Sequence, residues 1–146
     1  MTNDEKTDNP VGAIYPVGEK QPDRVRTRNG RPLRELTLDN LLAGHVAASD
    51  FGITADGLRL QAEIAERAGR PNLSQNLRRG AELVQVPDNI LLEVYELLRP
   101  GRAQSAEDLR AAANQLRDTY GAKETASLLD QAALVYERRD IFQRRF

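Results

Sequence analysis

From Leu33 onward, apolar positions recur at spacings of three and four residues, the mark of helices that bury one face. Leu38, Leu41 and Leu42 form a first short stripe, with Thr37 placed as an N-cap and Gly44 as a stop. Thr54 is positioned to cap a second helix running to about Ala68, whose Leu60, Ile64 and Ala68 share a face. Gly69 ends it. Pro71 can open the next helix in its first turn, followed by Leu73, Leu77, Ala81 and Val84. Pro87-Asp88 begins the strongest amphipathic segment, with Ile90, Leu91, Val94, Leu97 and Leu98 in one stripe before Pro100-Gly101. Ser105 and Asp108 have the capping-box arrangement ahead of Leu109, Ala112, Leu116 and Tyr120, and Gly121 closes that helix. A last helix holds Ala122, Leu128, Leu129, Ala132, Val135 and Tyr136 and is expected to continue toward Phe142. No strand-like alternation of comparable length competes. The prediction is an all-α fold, a compact bundle of five or six short helices.

The chain before these helices reads differently. Pro10, Pro16, Pro22 and Pro32 are interspersed with Gly12, Gly18 and Gly30, and each proline removes a backbone donor and restrains its predecessor. No helix of useful length is expected here. Residues 1–10 are polar and read as a disordered tail. Residues 11–36 carry Val11, Ile14, Tyr15, Val17 and Val25, enough anchors for an extended arm that wraps a partner, with a flexible tail as the alternative. The helical domain is expected over 37–142, with a basic end at 143–146.

Composition narrows the chemistry. Leu, Ile, Val and Phe occupy 35 of 146 positions, there is no Trp, and Ala supplies much of the apolar share, so the core is thin. Thin cores depend on close helix packing or on a partner surface. There is no Cys, which excludes disulfides and thiolate chemistry. The 21 basic and 22 acidic residues nearly cancel, so no general attraction to nucleic acid or anionic membrane is expected. No apolar run approaches a membrane span, and the N-terminus lacks the pattern of a signal peptide. A cytoplasmic chain is the expectation.

Catalytic patterns are also missing. His45 is the single histidine and has no matching ligand set. Ser49, Ser74, Ser105 and Ser127 have no other imidazole to draw on, and no glycine-rich phosphate loop is present. Arginines cluster at Arg24, Arg26, Arg28, Arg31 and Arg34, and again at Arg138, Arg139, Arg144 and Arg145 near Phe142 and Phe146. These leave open a rival reading: a free-standing helical protein- or nucleic-acid-binding module.

Several segments, taken together and in order, resemble a known family. They are Tyr15-Pro16, Leu36 through Leu42, Leu58 through Ala65, Ala68-Gly69-Arg70, Asn76 through Leu83, Val86-Pro87-Asp88, Leu92 through Tyr95, Leu98-Arg99-Pro100 and Leu134 through Arg139. The series is similar to the small (gamma) subunit of adenosylcobalamin-dependent propanediol and glycerol dehydratases, over about Tyr15 to Arg139. Gly80, Ile90 and Gly101 depart from the family pattern without touching a catalytic role.

The resemblance implies a division of labour. A large TIM-barrel subunit holds substrate, metal ions and the radical chemistry, and a medium subunit helps bind the cobalamin. The small subunit packs directly on the large one, in a dimer of heterotrimers. Cleavage of the cobalt–carbon bond gives an adenosyl radical that abstracts hydrogen from a 1,2-diol. A hydroxyl then migrates, and loss of water leaves an aldehyde. No catalytic, cofactor or metal residue is expected on this chain, and any microcompartment association would run through partner subunits. Large side chains in the arm, at helix ends or beyond the needs of a small core make Ile14, Tyr15, Phe51, Tyr95, Leu98 and Phe142 the interface candidates.

Overall fold

The computed structural model describes residues 14–142. The tail at 1–10, the start of the arm at 11–13 and the basic end at 143–146 lie outside the described residues. Seven helices and no strands are found among them: α1 (Val17–Lys20), α2 (Leu38–Leu42), α3 (Ala55–Arg67), α4 (Pro71–Leu83), α5 (Asp88–Leu98), α6 (Ala106–Tyr120) and α7 (Lys123–Arg139). Three short 3-10 turns cover Pro22–Arg24, Leu33–Glu35 and Ala48–Phe51. The all-α expectation holds. The chain forms two compact units, one up to Leu77 and one from Arg78, with the boundary inside α4.

The first unit contains the segment expected to be an extended arm, and it is not one continuous extended chain. Proline rules out long helices but tolerates single turns in which its missing N–H is not needed. Thus Pro16 precedes α1 and Pro22 opens a 3-10 turn. Between Arg26 and Pro32 the chain doubles back through one antiparallel bridge, with Gly30 left-handed at φ +81°. The Tyr15–Pro16 peptide bond is cis. Ile14, Val46, Leu60, Ala62 and Ala65 are buried here. Thr37 and Thr54 cap α2 and α3 as their spacing predicts, each accepting from the backbone N–H three residues on.

The second unit is built on α6 and α7. Gly121, at φ +66°, turns the chain between them, and Ala122 N–H bonds back to the Leu116 carbonyl at 3.0 Å. The facing surfaces consist of Leu109, Ala112, Ala113 and Leu116 against Ala126, Leu129 and Ala133, all buried. Alternating alanine with leucine favours close approach of the two backbones, which suits a core poor in aromatics. The α5 stripe Ile90, Leu91, Val94, Leu97 and Leu98 packs on the same core. Ser105 and Asp108 form the expected capping box of α6.

α7 departs from expectation at both ends. Ala122 is its N-cap and offers no side-chain bond. That role passes to Glu82 at the end of α4. Its carboxylate accepts from the Glu124 and Thr125 backbone N–H groups and from the Thr125 hydroxyl, each at 2.9 Å. The C-terminus comes at Arg139, short of Phe142, because Asp140 adopts the left-handed conformation at φ 52° and reverses the chain. The reversal returns Phe142 to the core, edge-on to Tyr136 with ring centroids 5.8 Å apart.

Candidate interaction surface

The polar groups of the first unit are arranged to hold a loop in place. Asp50 is buried, and its carboxylate accepts from the Thr27 hydroxyl at 3.0 Å, the Asn29 amide at 2.9 Å and the Ala47 backbone N–H at 3.0 Å. Arg31 adds a cation at 3.9 Å. The Ala47 bond foremost, then Asn29, Thr27 and Arg31, hold this carboxyl below the usual carboxylate range, against the opposing effect of burial. Glu63 on α3 is held low too, chiefly by its hydrogen bond from Arg24 at 2.8 Å, with Arg67 beside it at 2.7 Å. These two carboxylates join the 26–32 turn to the 47–51 turn, and the Pro22–Arg24 turn to α3.

What this scaffold displays is apolar. Phe51 and Ile53, directly after Asp50, are 58% and 69% exposed. They border a groove of about 440 Å³ whose walls include Val25, Leu33, Leu36 and Leu58. On α2 the stripe of Leu38, Leu41 and Leu42 is on the surface, Leu42 being 78% exposed. In the second unit Leu92 and Tyr95 are exposed on α5, one turn apart and opposite the buried stripe. Leu134 on α7 is exposed as well.

The six interface candidates divide accordingly. Tyr15, Phe51 and Tyr95 are exposed. Ile14 is buried, while Leu98 and Phe142 pack against the second unit's core, and Leu98 also accepts the Tyr136 hydroxyl through its carbonyl. Size in the sequence does not separate these two groups, because the turn after Arg139 and the α5 register decide which side chains face inward. Ile53, Leu92 and the α2 leucines are exposed as well, although none of them is among the six candidates. The position of Ile53 immediately before the Thr54 cap points the other way, to a staple on the fourth helical position, Leu58, yet Ile53 is 69% exposed.

No group of three or more His, Cys, Asp or Glu residues that could hold a metal occurs among the described residues. The groove beside Phe51 and Ile53 is mostly apolar, with Thr27, Thr54 and Gln61 among its polar walls. Its ionisable walls are Arg26 and Asp50, the latter already bonded on several sides, and His45 is exposed and does not line it. Among the described residues no helix is long and apolar enough to cross a membrane.

The comparisons with known proteins agree with one another. The family model for the dehydratase small subunit matches residues 12–143. The propanediol dehydratase small subunit of Citrobacter freundii is 44% identical over 125 residues, covering 86% of this chain and 72% of that protein. The propanediol dehydratase small subunit of Salmonella typhimurium LT2 shows the same identity and the same coverage. A match over nearly every described residue, with identity at this level, is decisive: the chain belongs to the dehydratase small-subunit family.

Proposed function

We propose that this chain is the non-catalytic small subunit of a coenzyme-B12-dependent propanediol or glycerol dehydratase, and that it packs on and stabilises the large catalytic subunit. The observation that carries the reading is the 44% identity to two propanediol dehydratase small subunits across 86% of the chain. Exposed apolar residues on both units support it, since covering them in an assembly would add to the burial a thin alanine-rich core provides. In this reading the complex converts a 1,2-diol to an aldehyde and water by a radical route. Adenosylcobalamin and the reacting groups are held by the large and medium subunits, and none of the residues of this chain touches them. The assembly is a dimer of heterotrimers in the cytoplasm, and any enclosure in a microcompartment runs through the partner chains.

Co-expression tests it. With the cognate large subunit the chain should emerge from gel filtration in moderate salt as one soluble complex. Migration as separate species would contradict the reading. Retention on nucleic acid that falls steeply with added salt would favour the rival binding module instead.

A further inference from the structure

The groove beside Phe51 and Ile53 has features that select its occupant. Its walls are mostly apolar, and Phe51 and Ile53 stand at its edge with most of their surface uncovered. The charges around it do not balance. Asp50 is buried and saturated by Thr27, Asn29 and Ala47, so it offers nothing to a ligand. Arg26 lines the groove, and the stem of Arg28 lies over the Phe51–Gly52 turn, with its Cδ 3.7 Å from where a Gly52 Cβ would sit. Neither guanidinium has an ion pair among the described residues, whereas neighbouring Arg24, Arg31 and Arg34 are paired to Glu63, Glu35 and Asp23. Arg26 spends one N–H on the Gly30 carbonyl at 3.1 Å, so a largely apolar floor with two cations that lack a carboxylate partner complements a segment that brings apolar anchors and acidic groups together.

We infer that the groove lined by Phe51, Ile53 and Arg26, with Arg28 beside its Gly52 rim, is the docking site for an acidic, apolar-anchored segment of the large dehydratase subunit. This rests on the assembly proposed above and adds to it the place and the chemistry of contact. The apolar walls supply the affinity. The two arginines set the register and make association depend on salt, because partly exposed charges are screened within about a Debye length, ~8 Å at physiological ionic strength.

The test uses the full chain and the cognate large subunit. Affinity is measured for the wild type and for Phe51→Ala, Ile53→Ser and Arg28→Glu, with Leu134→Ser on α7 as a comparison. The exposure of these positions leaves folding intact, which circular dichroism checks. Each groove variant should weaken binding about tenfold, the loss typical of an interface anchor, and Leu134→Ser should not. Arg28→Glu should lose most at low salt. Hydrogen exchange gives a second reading, with amides of residues 51–58 slowed in the complex. A complex that forms with wild-type affinity in all three groove variants, or without protection there, overturns the inference and leaves the assembly standing. Failure of the wild-type chain to form any complex contradicts the assembly and removes the inference with it.

Discussion

A small number of carboxylates do structural work that neighbouring acids do not. Glu82 satisfies two backbone donors and a hydroxyl at the start of α7, a helix whose own N-cap is alanine. Its negative charge also meets the positive end of the helix dipole. Glu82→Ala should therefore lower stability by about 2 kcal/mol, as loss of hydrogen bonds to a charged group does. Urea denaturation measures this, and an unchanged midpoint would remove the assigned role. Asp50 and Glu63 predict an acid response. Both carboxyls release their protons more readily in the folded chain than in the unfolded one. The unfolded chain therefore takes up protons first as the pH falls. The stability they contribute is complete above the ordinary carboxylate range and is lost as the pH drops through and below it. Melting temperatures for the wild type and Asp50→Asn should differ near neutrality and converge in acid; a constant difference would refute the linkage. None of these roles was legible in the sequence. Glu82 meets Thr125 from 43 positions away, and nothing local distinguishes it from the other acids on helical faces.

Helices were far easier to anticipate, because their signals are local. Thr37, Thr54 and Ser105 each cap the helix expected of them, and Gly44, Gly69 and Gly121 take the positive φ that ends one. Two features escaped for physical reasons. Prolines forbid long helices in the arm yet permit the single turns found there, and a left-handed Asp140 ends α7 where the apolar spacing continued toward Phe142. The α6–α7 pair gives predictions of its own. Leu116 is fully buried, so Leu116→Ala should cost about 2–5 kcal/mol through lost burial and the cavity left behind. Ala113, equally buried, lies where the helices meet, and Ala113→Leu should cost about 1–3 kcal/mol by overpacking. Gly121→Ala meets no atom within 4 Å, so its cost is that of the left-handed backbone alone, about 1 kcal/mol. Thermal unfolding of the three variants checks the ranking. An Ala113→Leu chain as stable as the wild type would contradict the close approach of the two helices.

Taken whole, the chain leaves large apolar side chains exposed on both units: Phe51, Ile53 and the α2 leucines on the first, Leu92, Tyr95 and Leu134 on the second. Periodicity identified α2 and α5 as amphipathic helices but does not report whether a stripe faces an internal core or another polypeptide. That distinction separates Leu42, which is exposed, from Val94, which is buried. Family membership supplies the missing half, a subunit that functions in company. If the chain's part is to cover and stabilise, its single imidazole is dispensable. His45→Ala should leave turnover by the assembled dehydratase nearly unchanged, whereas a fall of about a hundredfold would indicate acid–base participation. The most direct measurement is aldehyde formation from 1,2-propanediol with adenosylcobalamin, comparing the purified chain alone with the chain joined to its large and medium subunits. Turnover by the assembly and none by the isolated chain is the predicted result; aldehyde production by the isolated chain would contradict it.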